Sequence, residues 1–171
     1  MKYVALFRGI NVGGNRKVEM KKLRELFESL NCINVSTYLN SGNLIFERTT
    51  PLPLDQLQKT LERVFGFSIE TLIKPHRQMQ VIAKAIPADW TNDAEWRTDI
   101  AYLFPEIDSS EIVDKLPIKK EFVEIRYVPG AVFWRADRKD IHKTHLNKLV
   151  GSKLYSQMTL RNVNTARFLG Q

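Results

Sequence analysis

Apolar residues recur along this chain with two different periods, and the switches between those periods lay out the elements. Residues 3–9 open with Tyr3, Val4, Ala5, Leu6 and Phe7 in an unbroken run. Both faces of such a strand carry apolar groups, so both are expected to be covered. Over residues 20–30, Leu23, Leu26, Phe27 and Leu30 return at the spacing of one helical face. Residues 35–38 and 44–47 read as two short strands around Asn40-Ser41-Gly42-Asn43, a hairpin signal. Pro51 and Pro53 interrupt the chain, and Asp55 stands where an N-cap is wanted. Leu57, Leu61, Val64 and Phe65 then form a helical stripe that ends at Gly66. Ile69, Thr71 and Ile73 alternate as a strand, and Met79, Ile82, Ala83 and Ile86 mark a helix ended by Pro87.

The second half repeats this order. A strand over 100–104 precedes a short helix over 109–116, with Ser109 or Ser110 as its cap. Residues 122–128 and 131–136 are strands joined by the turn dipeptide Pro129-Gly130. Residues 141–150 are helical, 158–160 a last strand and 163–169 a last helix, with Asn or Thr at its start most simply an N-cap. The predicted fold is α+β: two tandem ferredoxin-like βαββαβ subdomains, each with a trailing helix. The expected division is 1–86 and 98–171, with 87–97 as linker. The repeat is one of pattern and implies an internal duplication.

A chain of 171 residues with 43% hydrophobic and 26% charged side chains has the composition of a soluble globular protein. The apolar run at the N-terminus is too short for a signal or membrane segment. The single Cys32 allows no internal disulfide and no thiolate metal cluster. A cytoplasmic protein with no membrane partner is expected, with Cys32 read as a small buried hydrophobe.

Charge changes the picture more than composition does. The net charge is +7, and it is unevenly spread. Residues 1–85 carry 13 basic and 7 acidic side chains, residues 86–116 carry 2 and 8, and residues 117–171 carry 11 and 4. Basic surface favours anionic partners. The same pattern would also serve attraction between two lobes.

Two segments stand out chemically. Residues 8–17 (RGINVGGNRK) join the first strand to the first helix through a glycine-rich, basic loop, and residues 38–43 (YLNSGN) form the hairpin turn. In a βαββαβ unit the loop after the first strand and the hairpin between the second and third lie at the same end of the sheet. Convergence of the two segments therefore follows from element order alone. Gly13 and Gly14 allow close backbone approach, and the helix that follows offers free N–H groups. Arg8, Arg16 and Lys17 add charge; Asn11, Asn40, Ser41 and Asn43 add neutral donors and acceptors. Together they fit a phosphate, a carboxylate or another oxyanion. Turn chemistry, with glycines serving tight turns and Asn side chains satisfying backbone groups, accounts for the same residues.

The segments FRGINVGG (7–14), TYLNSGNLIF (37–46) and RNVNT (161–165) resemble a bacterial family of unknown function, the one numbered 1697. Val163 stands where that family usually carries tryptophan. The resemblance supports the fold and the location of the site, and adds Arg161 and Asn162 as site candidates. It implies no reaction.

The known signatures of chemistry are not met. Asn15-Arg16 stand where a P-loop needs Lys-Ser/Thr, and no GxGxxG occurs. The RNP1 pattern is not met, since Asn40-Ser41-Gly42-Asn43 occupies its aromatic and basic positions, which sets aside an RRM proper. His142 and His145 at i, i+3 below Asp137 and Asp140 could hold a divalent ion, but basic neighbours favour a solvated helix face. His76 after Pro75 reads as a cap or loop contact. Catalytic residues are not identifiable, and no metal and no cofactor are expected. The functional expectation is a cytosolic anion-binding module, with nucleic acid as first ligand class. The alternatives are an enzyme acting on a small phosphorylated metabolite and a protein–protein interaction module. Oligomeric state does not follow from the sequence.

Overall fold

The computed structural model describes Met1–Gln171. The chain divides into two compact units, Met1–Arg77 and Gln78–Gln171. The first contains β1 (Lys2–Phe7), α1 (Met20–Ser29), β2 (Ile33–Thr37), β3 (Asn43–Glu47), α2 (Leu54–Phe65) and β4 (Thr71–Pro75). The strands form one antiparallel sheet in the order β2-β3-β1-β4, the order of a split βαβ unit.

Side-chain alternation along β1 sets the layers. Tyr3, Ala5 and Phe7 share a core with Leu44 and Phe46 of β3, Leu23 and Phe27 of α1, and Leu57 and Leu61 of α2. Phe27 meets Phe7 and Phe46 edge-on, with ring centroids 5.9 and 5.2 Å apart. Val4 and Leu6, on the opposite face, are also fully buried. The unbroken apolar run is thus a strand covered on both sides, as its pattern predicts. Tyr3, Phe7 and Phe46 all point into the core, so this sheet presents none of the exposed aromatics that an RRM uses to stack bases.

The second unit contains β5 (Trp96–Leu103), α4 (Ile112–Lys115), β6 (Glu124–Val128), β7 (Ala131–Asp137), α5 (Leu146–Val150), β8 (Met158–Asn162) and α6 (Val163–Leu169). Its sheet runs β6-β7-β5-β8, the same order as the first. The correspondence extends to single bonds. Phe7, the last residue of β1, donates its N–H to the Gly42 carbonyl at 2.9 Å. Leu103, the last residue of β5, donates to the Gly130 carbonyl at 3.0 Å. Both hairpin glycines are left-handed, with φ of 84° and 95°. The protein is therefore α+β, with two tandem four-stranded units of one topology.

Helix α3 (His76–Ala85) begins in the first unit, and from Gln78 onward it belongs to the second. It packs closely on the end of α6: a Cβ at Gly170 would lie 2.4 Å from that of Ala83. Residues 87–97, expected as a linker, are bound into the second unit. Trp90 is buried against Phe133, and the Asp93 carboxylate accepts from the Glu95 and Trp96 N–H groups.

Several local expectations need correction. Pro53, not Asp55, is the N-cap of α2, and Asp55 lies in its first turn, where its charge suits the helix dipole. Val64 faces solvent, because the α2 stripe runs from Leu57 and Leu61 to the partly buried Phe65 and leaves Val64 to one side. Glu111 precedes α4, and Ser109 contributes its carbonyl, not its hydroxyl. The helix expected over 141–150 is broken. A 3-10 segment, Arg138–Lys143, comes first, and His145, with φ of 60°, separates it from α5. No helix is long and apolar enough to cross a membrane.

Candidate functional site

The loop after β1 folds back on itself as a small hairpin. Val12 and Asn15 form a β-bridge, and Asn15 N–H donates to the Val12 carbonyl at 3.2 Å. Gly13 and Gly14 fill the turn with φ of 60° and 77°, the signs that a primed turn requires. The turn projects into solvent: a Cβ built on either glycine meets nothing within 4 Å. The glycines therefore serve turn conformation first, and their exposed N–H groups remain open to a ligand.

Asn11 is the keystone of this end. Its Oδ1 accepts from Val18 N–H at 2.8 Å, and its Nδ2 donates to the Val18 carbonyl at 3.0 Å and the Asn40 carbonyl at 2.8 Å. One amide side chain thus joins the glycine loop, the approach to α1 and the hairpin. Asn43 is fully buried and donates to the Tyr38 carbonyl at 2.8 Å and to Ser41 Oγ at 3.1 Å. The convergence expected from element order is present, and it is made largely by backbone-satisfying amides. Asn11 and Asn43 are spent on structure.

The cations divide in the same way. Arg8 forms an ion pair with Glu70 at 3.0 Å. Arg16 donates to the Ser68 carbonyl and lies over the Phe67 ring, 5.0 Å from its centroid. Both arginines tie the loop to the segment before β4. Lys17 is exposed and takes part in no ion pair or side-chain hydrogen bond. It lines an open cleft of about 460 Å³ together with Asn11, Gly14, Glu19, Met20 and Asn40. Helix α1 starts at this cleft. Its N-cap, Glu19, makes no side-chain cap bond, so the first-turn N–H groups carry no side-chain partner. Lys17, Asn40, Ser41 and the Gly13-Gly14 backbone are what this end can offer to a ligand.

Arg161 and Asn162 lie in the second unit, at the end of β8, and each has a structural role there. Asn162 caps α6 by accepting from Thr165 N–H at 3.0 Å. Arg161 is buried and donates to Thr159 Oγ1 at 2.9 Å and the Leu160 carbonyl at 2.7 Å. Burial pushes its guanidinium down to about 10, against the opposing influence of Tyr102 and Tyr155. Burial also raises the Tyr102 phenol, whose hydroxyl has no hydrogen-bond partner.

No group of three or more His, Cys, Asp or Glu side chains is placed to hold a metal ion, His142 and His145 included. Cys32 is buried, as its reading as a small hydrophobe expects, and burial raises its thiol against the influence of Arg48. Sequence reasoning passed over Glu70, Ser68 and Phe67, the partners of the loop arginines. It also passed over Val12 and Leu39, which are 66% and 56% exposed beside the Asn11–Asn40 bond. Their pattern gives no signal, because hairpin tips obey neither hydrophobic period.

These features define a tandem ferredoxin-like α+β protein with one polar, basic loop end on its first unit. The chain belongs to the family described as "Protein of unknown function (DUF1697)", whose profile matches residues 1–134. It is similar in structure to the conserved bacterial protein SP0830 from Streptococcus pneumoniae. That likeness has a TM-score of 0.83 and 27% sequence identity, and covers 99% of this chain and 97% of the other. No curated protein matches the sequence.

Proposed function

We propose that the loop end of the first unit binds an anion, and that the ligand is the phosphate backbone of a nucleic acid. The observation that carries this reading is the cleft beside α1, where Lys17 faces solvent without an ion pair. Gly14, Asn40 and the uncapped first turn of α1 surround it. Open geometry supports a polymer over a small metabolite. A metabolite site gains affinity by enclosing most of its ligand. A cleft on exposed loops cannot do that, whereas a polyanion adds many weak phosphate contacts and releases counterions. The two units share one strand order, and the glycine-rich basic loop occurs in the first only, which accords with this reading.

The test is the salt dependence of binding to a mixed-sequence 12-nucleotide RNA. Wild-type protein should bind with affinity that falls as salt rises. Lys17→Ala should weaken binding and lower the slope of log K against log salt by about 0.7–0.9, the contribution of one phosphate contact. Binding that is absent, or a slope unchanged in the variant, refutes the reading. Thermal stabilisation by a mononucleotide but not by the oligonucleotide would instead support a phosphorylated-metabolite site.

A further inference from the structure

The outer edge of β6 has the chemistry of a self-complementary strand. β6 ends the second sheet, and one of its sides pairs with no other strand. The Gly130 carbonyl faces β5, where it accepts from Leu103 N–H. Alternation then turns the backbone groups of Ala131, Phe133 and Arg135 towards β6, where they oppose Val128, Arg126 and Glu124. The N–H and C=O groups of Ile125 and Tyr127 therefore point away from the sheet, and no loop supplies them with a backbone partner. β2, the outer strand of the first sheet, differs. Its register shifts between Ile33 and Ser36, and Asn34 is left-handed with φ of 52°. Such a bulge blunts an edge against further pairing. β6 holds an unbroken register from Glu124 to Val128, with no proline and no left-handed residue.

The side chains of β6 divide by face. Ile125 and Tyr127 are partly buried against the core of the second unit. Glu124 and Arg126 lie on the opposite face and are exposed. Glu124 Oε1 accepts from Arg135, and its Oε2 has no partner. Arg126 lies over the Trp90 ring, 5.5 Å from its centroid, and forms no ion pair.

We propose that a second copy of this chain pairs its own β6 with this edge, antiparallel about a two-fold axis at Ile125. That register sets Ile125 opposite itself, Glu124 opposite Arg126 of the second copy, and Val123 opposite Tyr127 of the second copy. The Ile125 pair exchanges both backbone bonds. Tyr127 N–H donates to the Val123 carbonyl across the axis, while Val123 N–H stays with the Lys120 carbonyl. Apolar side chains meet on one face and opposite charges on the other. Symmetry makes the charge pair and the Tyr127 bond twice. Neighbouring registers fail. An axis at Glu124 or Arg126 sets like charges against each other, and one at Tyr127 sets Ile125 against Pro129, which has no N–H. Every residue involved belongs to the second unit, so the pairing is independent of the anion site.

One short edge buries less than the roughly 1,200 Å² of a standard complex, so the dimer should be weak, with a dissociation constant on the order of 100 μM. Sedimentation equilibrium of the full chain from about 10 μM to about 1 mM should show reversible monomer and dimer. Arg126→Glu sets like charges opposite each other on both sides of the axis and should weaken the dimer by about tenfold or more. Arg77→Glu, at an exposed arginine with no ion pair, changes net charge equally and should leave the dimer intact. In wild type, hydrogen exchange at the Ile125 and Tyr127 amides should slow as concentration rises through the transition, while the Asn34 amide is unaffected. That readout decides the matter even where a variant fails to fold. A chain that stays monomeric over the whole range overturns the proposal and leaves the edge to a strand of a different protein. A dimer that Arg126→Glu does not weaken, or that Arg77→Glu weakens equally, overturns it too. So does a dimer in which the Ile125 and Tyr127 amides exchange as fast as in the monomer, because another surface then holds it.

Discussion

The two units share a topology and a hairpin glycine, yet they close the same end with opposite chemistry. In the first unit a neutral amide, Asn11, holds the loop to the hairpin by donating to the Asn40 carbonyl. In the second unit a carboxylate does so: Asp108 Oδ1 accepts from Gly130 N–H at 2.8 Å and from the Tyr127 hydroxyl at 3.0 Å. The first end adds Arg8, Arg16, Lys17 and a projecting Gly-Gly turn. At the second, Pro105, Glu106 and Asp108 follow the strand. One mechanical problem, tying a loop to a turn, thus has two solutions of different charge. Arg8 and Arg16 are themselves ties, to Glu70, Ser68 and Phe67, so the cation at the first end that packing does not account for is Lys17. That lysine is the main support for a ligand there.

The largest expected effect strikes what the two ends share. Gly42→Ala forces a left-handed alanine whose Cβ would lie 3.0 Å from Ile10 Cδ1 and Phe7 Cβ. Conformation costs about 1–2 kcal/mol and overlap adds roughly 1–3. Gly14→Ala, with φ of 77° and open space around it, should cost only the conformational part. Denaturant unfolding of the two variants checks the ranking, and equal losses would mean the hairpin turn is not packed as described.

Exchanging the ties sharpens the comparison. Asn11→Asp removes the donor to the Val18 and Asn40 carbonyls and sets a carboxylate against them, a loss of about 2–3 kcal/mol. Asp108→Asn keeps an acceptor for Gly130 and should cost under about 1 kcal/mol. It should also lower the Tyr127 phenol, which is raised by burial first and by Asp108 second. Ultraviolet titration of tyrosine reads that change. If the two exchanges cost the same, the ties are not chemically distinct.

Removing Lys17 should barely affect folding. An exposed lysine without an ion pair contributes within about 0.5 kcal/mol, so Lys17→Ala should melt with wild type. A large drop in melting temperature would make Lys17 a structural residue and weaken the contrast between the ends.

The smallest effect is on pH dependence. Burial first, and Lys2 second, hold the His76 imidazole below its ordinary value of 6.5. The unfolded chain then takes up a proton that the folded chain resists. Stability from this source is complete above the unfolded value and declines as pH falls through it. Melting temperature should drop between pH 7 and pH 5, and His76→Gln should shrink that drop. A drop of unchanged size would assign it to other groups, His145 among them, whose imidazole is also lowered.

Much of the fold was legible because burial imposes periods. Val4, Leu6 and Phe7 in one run marked a strand covered on both faces, and Leu23, Leu26 and Phe27 marked α1. Convergence of the glycine loop and the hairpin followed from element order. Which polar residues remain open to a ligand was not legible. Asn11 and Asn40 are the same residue type, but the side chain of one is fully engaged and that of the other is not. Only the backbone path decides which. Arg8 and Arg16 read as ligand groups until Glu70, Ser68 and Phe67 were brought beside them by tertiary contact. The break at His145 was hidden because a helical apolar pattern continues across it.

The most direct test follows backbone amides of labelled protein by NMR during titration with the 12-nucleotide RNA. Shifts should concentrate at Gly13, Gly14, Lys17, Leu39 and Asn40, while Asp108, Tyr127 and Gly130 stay still. Shifts at both ends alike, or at the second end alone, would contradict the claim that only the first unit carries the anion site.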